Sequence, residues 1–298
     1  MSARAGEAGG EQLGLDLPEP VWCQRWNDRR ATWRRTSEGG FDPALYRCVP
    51  LEAGPARRFV TRHHYSGSWP AVRMAFGMQL RTAAAGPGEP DGGRLVGVLA
   101  LGVPMSKGVL TRVFPSLEAY RESVELSRLV LLDEVPSNGE SWLCAAGFAL
   151  AARRGVRGVV AYSDPHPRTR VTPLGAEVVM PGHVGHVYAA QDFAYLGRSR
   201  PRRLVILPDG SVLTDRAAMK VRRDESGHLG VERRLQGFGA RPRREGEPGG
   251  LWLAEALEAV GASRLEHGGN HVYARSVGPR RTRVVVAPTS YPPPRPPH

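Results

Sequence analysis

Lysine is nearly missing from this chain. Of 41 basic residues in 298, only Lys107 and Lys220 are lysines, and the other 39 are arginine. Arginine codons are GC-rich, so genome composition accounts for part of that bias but not for the formal net charge of +12. Cysteine is scarce too. Cys23, Cys48 and Cys144 form no CxxC pair, which excludes a disulfide scaffold or zinc ribbon and suits a reducing cytoplasm. No run approaches the ~18 consecutive apolar residues of a membrane span. The first twenty residues lack the apolar centre of a secretory signal. What is abundant is backbone punctuation, 36 glycines and 26 prolines, which argues against a coiled coil or long helical bundle. With 41% hydrophobic residues, the length suits one large domain or two small ones.

The positive charge is concentrated. Residues 198–244 hold thirteen basic side chains against five acidic ones, a net +8. Such a block usually meets phosphate, and nucleic acid is its expected partner; a merely solvated arginine surface is the alternative. Arg198, Arg200, Arg202, Arg203, Lys220, Arg222 and Arg223 are the candidate phosphate contacts. Residues 1–47 read as a disordered tail followed by an appendage bearing Trp22, Trp26 and Trp33, either helical and packed or stacked on bases. Residues 48–277 read as the main domain. Residues 278–298 read as a disordered Arg/Pro tail, 82–93 as a loop and 240–250 as a linker.

Between these punctuations the pattern alternates. Arg94–Val103 is a nearly continuous apolar strand, and Val124–Leu132 is a second. In the latter, strict alternation places Val124, Leu126, Arg128, Val130 and Leu132 on one face. Ser137 and Glu140 have capping-box spacing for a helix over 139–154, with Trp142, Leu143, Ala146 and Leu150 as its buried stripe. A strand over 156–162, a helix over 184–194 capped by Gly197, a strand over 203–207 and a Pro208-Asp209-Gly210 turn follow. This order predicts an α+β fold: a mixed central sheet flanked by helices, with C-terminal helical and strand additions. It resembles the acyl-CoA N-acyltransferase (GNAT) fold. One glycine in Val135–Ser141 makes a poor match to the glycine-rich loop that holds CoA pyrophosphate in that fold.

Several segments resemble the Mom family of phage DNA-modifying proteins, a divergent GNAT-like group. They are RRFVTRHHYSGSWP (57–70), GVPMS (102–106), ESVELSRLVLLDEVPSNGESW (122–142), VVAYSDP (159–165), GHVGHVYAAQDFAYLGRS (182–199), LPDGSVLTDRAAMKVR (207–222) and HGGNHVYA (267–274). The resemblance implies conversion of DNA adenine to N6-carbamoylmethyladenine, with restriction evasion as its purpose. It also implies an iron cofactor, with His64 as ligand, in the host cytoplasm. An acyl-CoA-type donor is the other cofactor to weigh.

That chemistry sets requirements. The N6 lone pair is delocalised and buried in the duplex, so the adenine must be flipped out or offered single-stranded. A base must accept its proton, and aromatic surfaces should hold the ring. Joining nitrogen to a CH₂ carbon beside a carboxamide differs from acyl transfer to a carbonyl, which makes a redox metal reasonable. By resemblance, Asp164 orients or accepts the N6 proton, Arg128 grips donor or DNA phosphate, and His64, Tyr65, Ser141 and Tyr188 complete the site. Read from the residues alone, Asp164 is equally a turn residue before Pro165; the alternative for Arg128 is a structural ion pair with Asp133, Glu134 or another acid. Ser141 could simply cap a helix, and His64 could be a hydrogen-bonded structural histidine. His183 and His186 are further ligand candidates, although no HxH or HExxH spacing supports a metal. Two other functions compete: a conventional GNAT N-acyltransferase using acetyl-CoA on a small amine or protein, and a non-catalytic DNA-binding protein.

Overall fold

The computed structural model describes residues 22–27, 30–81 and 93–292. The expected tail at 1–20, nearly all of the 82–93 loop and the last six residues lie outside them. In chain order the elements are β1 (Trp22–Asn27), β2 (Arg30–Arg35), β3 (Tyr46–Leu51), α1 (Ala53–His63), β4 (Val72–Arg81) and β5 (Gly93–Gly102). Next come α2 (Gly108–Thr111), β6 (Ser123–Leu131), α3 (Gly139–Arg153), β7 (Gly158–Ser163), β8 (Arg168–Thr172) and β9 (Gly175–Met180). The rest are α4 (His186–Ala189), β10 (Ala194–Arg198), β11 (Arg202–Ile206), β12 (Val212–Leu213), α5 (Asp215–Arg222), α6 (His228–Gln236), α7 (Gly249–Ala259), β13 (Ser263–His267) and β14 (His271–Ser276).

Seven strands form the central sheet in the order β10-β14-β7-β6-β5-β4-β3. Every neighbouring pair is antiparallel except β6 and β7, which run parallel because α3 crosses over between them. Helix α3 packs Leu143, Cys144, Phe148 and Ala151 onto one sheet face, against Phe76, Leu99 and Leu101. This stripe is shifted from the expected one: Trp142 and Leu150 are only partly buried. Gly147 lets the helix sit down, because a Cβ there would strike the Leu99 side chain. Helix α1 covers the other face with Ala56, Phe59 and Val60.

The additions form a second small core. Strands β12-β11-β13 make an antiparallel sheet, covered by α5, α6 and α7 around the fully buried Trp252. Residues 240–250 are not a free linker. Arg241 pairs with Glu247 and Glu255, and Arg243 with Asp224 and Glu232, pinning the segment between α6 and α7. Three other expectations change. The tryptophan-rich start is a β-hairpin rather than a helix. The 184–194 helix shrinks to α4, because Gly185 and Asp192 adopt positive φ on either side of it. The tail from 278 to 292 packs on the body: Tyr291 donates to the Phe193 carbonyl and stacks 6.2 Å from Tyr195.

Candidate active site

Beyond Leu126 the two parallel strands part. Their ladder runs from Ser123–Gly158 to Leu126–Ala161, while β6 continues to Leu131. On its other edge β6 bulges: Leu126 faces Leu101 but Arg128 faces Ala100, so Ser127 is the extra residue. The bulge replaces the expected strict alternation, and strand patterning alone carries no sign of it.

A cavity of about 230 Å³ occupies the gap. Its walls are β6 from Leu126 to Leu131, Tyr162, Asn138, Glu140 and Ser141 at the start of α3, and residues between Pro181 and Ala190. The His63–Tyr65 corner and β1 close it. Five of the six residues expected to be catalytic therefore meet: His64, Tyr65, Arg128, Ser141 and Tyr188 all line it. The sixth, Asp164, does not. It stands one hydrogen bond away, its backbone carbonyl accepting from the His183 N–H at 2.8 Å.

The aromatic residues form a wall. The Tyr65 ring lies 4.2 Å from that of His64 and 6.3 Å from those of Trp26 and His183. Tyr188 is buried, and its hydroxyl donates to the Tyr162 carbonyl at 3.3 Å. Burial keeps both tyrosines protonated, raising Tyr65 above the usual phenol range and Tyr188 well above it. Burial also lowers His64 well below its ordinary value, with the Arg128 charge adding to the effect, and brings His183 down to about 4. Both imidazoles are neutral at pH 7. The Ser66 backbone N–H can only donate, and it points at His64 Nδ1 at 3.1 Å, so the neutral ring carries its proton on Nε2.

Arg128 has no carboxylate partner within salt-bridge reach among the described residues. Asp133 instead accepts from Thr32 at 3.0 Å, and Glu134 pairs with Arg94 at 2.5 Å. The guanidinium is held by Ser68 O at 3.2 Å, Ser68 Oγ at 2.9 Å and Ser127 O at 2.6 Å. A half-buried cation tethered only by neutral acceptors is free to meet an anion or a carbonyl. Burial lowers its pKa, yet a guanidinium stays charged.

Two carboxylates beside the cavity are tuned apart. Burial raises Asp164, but three hydrogen bonds outweigh it and leave it below the ordinary range. They come from His267 Nε2 at 2.9 Å, Arg168 at 2.8 Å and the His166 N–H at 3.0 Å. Since His267 Nδ1 accepts from the Gly269 N–H, its Nε2 carries the proton given to Asp164. Asp164 thus ties together the loop after β7, the root of β8 and the end of β13. Glu125, one strand residue from the cavity, goes the other way: burial raises it to about 7, against the pull of Arg128. Sequence reasoning missed Glu125, although it stands in the same ELSR motif as Arg128.

The start of α3 serves the β1–β2 hairpin. Arg25, 6% exposed, pairs with Glu140 through both Nε (2.6 Å) and Nη2 (3.0 Å). It also donates to the carbonyls of Leu132, Asp133, Val135 and Pro136. Ser137 Oγ donates to Arg35 O, so the expected capping box is not formed; Asn138, at φ +77°, is the N-cap. The lone glycine, Gly139, is spent on packing, since a Cβ would strike Val135 and Leu131. A CoA pyrophosphate does not fit there: the arginine fills the loop and the Glu140 carboxylate stands in the first helical turn. His64, the expected iron ligand, belongs to no group of three His, Cys, Asp or Glu with converging ligand atoms among the described residues; the one such group is Asp224, His228 and Glu232, where Arg243 already supplies a cation.

The expected DNA contacts divide. Arg203 pairs with Glu266 at 2.5 Å, Arg198 donates to Gly269 O and to His166, and Arg202 reaches Asn270 at 3.4 Å. Arg200, Arg222 and Arg223 are exposed, and these three and Lys220 lack a carboxylate partner among the described residues. A wider groove of about 1160 Å³ shares Trp26, His63, His64 and Tyr65 with the cavity. It runs past Arg62, the inner part of β8–β9 and the 209–212 turn.

A mixed sheet splayed at its one parallel pair, with a site in the splay, defines a GNAT-like α+β protein. Within that class the chain belongs to the Mom protein family, which matches residues 46–238. No curated protein matches it. Among solved structures it is similar to a tandem GNAT protein from the clavulanic acid biosynthesis pathway, at 12% identity and a TM-score of 0.38 over 79% of this chain and 99% of that one. It is also similar to a GNAT family acetyltransferase from Elizabethkingia anophelis with acetyl-CoA bound, at 9% identity and a TM-score of 0.31 over 78% and 99%. The family assignment rests on the sequence match. Among the described residues no helix is long and apolar enough to cross a membrane.

Proposed function

We propose that this protein modifies DNA, converting adenine to N6-carbamoylmethyladenine and so shielding the DNA from restriction. The observation that carries the reading is the cavity in the sheet splay, where five residues singled out by family resemblance converge beside an aromatic wall. Its size suits one flipped base rather than a large ligand. Tyr65, His64 and Trp26 offer stacking faces, and the neutral His64 Nε2–H offers a donor to a ring nitrogen or carbonyl.

In the reaction a bond forms between N6 and the donor's CH₂ carbon. The bond from that carbon to its leaving group breaks with its electron pair, and N6 loses a proton. Arg128 binds the donor's carboxamide oxygen or an anionic leaving group. Like Asp164, Glu125 stands outside the cavity wall, but burial raises it to about 7 and it is not saturated as Asp164 is by three hydrogen bonds, so it is our candidate to take the proton. Asp164 is then a positioning residue. No step is routed through iron or CoA. The filled loop before α3 also weighs against the acetyl-CoA acyltransferase reading.

Nucleoside mass spectrometry of DNA from bacteria expressing the protein tests this. A deoxyadenosine heavier by one carbamoylmethyl group is expected. Only unmodified deoxyadenosine, with soluble protein present, overturns it.

A further inference from the structure

Strands β8 and β9 pair only with each other, as a two-stranded ribbon apart from the central sheet. Its inner half walls the groove that leads to the cavity, and its tip is Pro173-Leu174. Leu174 is 100% exposed, the most exposed large apolar side chain among the described residues. What sets this leucine apart is its place, at the outer end of an arm whose inner half walls the groove that leads to the cavity.

The arm is built to be stiff. Arg170 and Glu177 are bridged across the strands at 2.5 Å. At the tip the Thr172 hydroxyl donates to Gly175 O at 2.8 Å and accepts from the Leu174 N–H at 3.3 Å. At the root Arg168 pairs with Asp164 at 2.8 Å. Halfway along, Val179 and Arg170 rest on Gly210, where any side chain would collide with them. Pro173 brings no N–H, so the tip does not invite strand pairing. Beyond the Gly210 contact at Arg170, two residues of strand, about 7 Å, and the Pro173-Leu174 turn extend the arm. The DNA major groove, ~8.5 Å deep, admits a two-stranded ribbon.

We infer that the β8–β9 ribbon is a base-extruding wedge: Leu174 enters the stack of duplex DNA and helps push the target adenine along the groove into the cavity. The inference rests on the proposed DNA modification and adds how that site obtains its base. Apolar side chains inserted between base steps partly unstack and kink a duplex, so the chemistry of the tip matches the task. Asp164, by holding Arg168, fixes the wedge relative to the cavity.

The test uses the full chain with a pool of duplexes carrying 2-aminopurine in place of one adenine, in all flanking contexts. The fluorescence of this base rises when it leaves the stack. The wild-type protein should raise it, and Leu174→Ala should weaken the extrusion equilibrium by roughly tenfold or more, the scale of one buried leucine. Leu174→Phe should keep it. With the 2-aminopurine opposite an abasic site, where no pairing is left to break, the gap between Leu174→Ala and wild type should narrow. Equal fluorescence of Leu174→Ala and wild type on paired duplexes overturns the wedge, as does a wild type that extrudes nothing. The nucleoside measurement separates the two ideas. Modified deoxyadenosine alongside an indifferent Leu174 leaves the modification standing and removes the wedge, whereas its absence removes the modification itself.

Discussion

Replacing Arg25 by Met removes the pin between the β1–β2 hairpin and the start of α3. The Arg25 side chain is 3% exposed and that of Glu140 13%. Deleting one partner leaves the Glu140 carboxylate buried without its cation, beside four carbonyls that lose a donor. Such a break costs about 3–5 kcal/mol when the surroundings stay closed. The hairpin has an escape, since it can swing off and let water reach Glu140. The global loss is then capped at the cost of detaching the hairpin. Urea unfolding gives the global figure, and hydrogen exchange of residues 22–35 shows which route is taken. Arg25→Met together with Glu140→Leu should recover most of the loss, because an apolar pair of similar volume leaves no buried charge. An unchanged urea midpoint and unchanged hairpin protection in Arg25→Met would refute the pinning role.

Three further outcomes follow from the site. Glu125 ionises near 7 when folded and near 4.5 when free, so between these values the unfolded chain has lost a proton that the folded one keeps. Stability should fall as pH rises through that window, and Glu125→Gln should raise it by up to about 3 kcal/mol at pH 8 while removing a pH 7 limb from the modification rate. For Asp164, whose folded pKa is lowered, the contribution is present above pH 4 and lost as pH falls through the folded value. Asp164→Asn should cost roughly 1–3 kcal/mol in urea unfolding, whereas Arg128→Ala, leaving no ionic partner behind, should stay folded and lose modification. Finally, Arg200→Ala, Arg222→Ala and Arg223→Ala should each flatten the salt dependence of DNA binding by about 0.9 in log–log slope; Arg203→Ala, whose charge is spent on Glu266, should leave the slope unchanged.

The sequence made the central strands, α3 and the turn at 208–210 legible, because apolar runs and punctuating glycines are local signals. It places Arg128 mid-strand as a phosphate grip with a structural ion pair as the alternative; the fold supplies no carboxylate among the described residues and holds the guanidinium by Ser68 and Ser127, beside a bulge that no pattern reveals. The tryptophan-rich start is readable as an appendage but not as a hairpin docked on α3, since the docking partner, Glu140, lies more than a hundred residues away. His64 and Tyr65 were visible only through family resemblance, and only the fold brings them beside Tyr188. In the sequence the basic block is one surface, because composition counts charges without their partners. In three dimensions Glu266, Glu255 and Asp209 take up part of it.

The central claim is that this cavity modifies DNA adenine, and nucleoside mass spectrometry on DNA from cells making the wild-type chain or Arg128→Ala tests it most directly. The account predicts carbamoylmethylated deoxyadenosine from the wild type and none from an equally soluble Arg128→Ala. Unmodified deoxyadenosine in both, or equal modification in both, would contradict it.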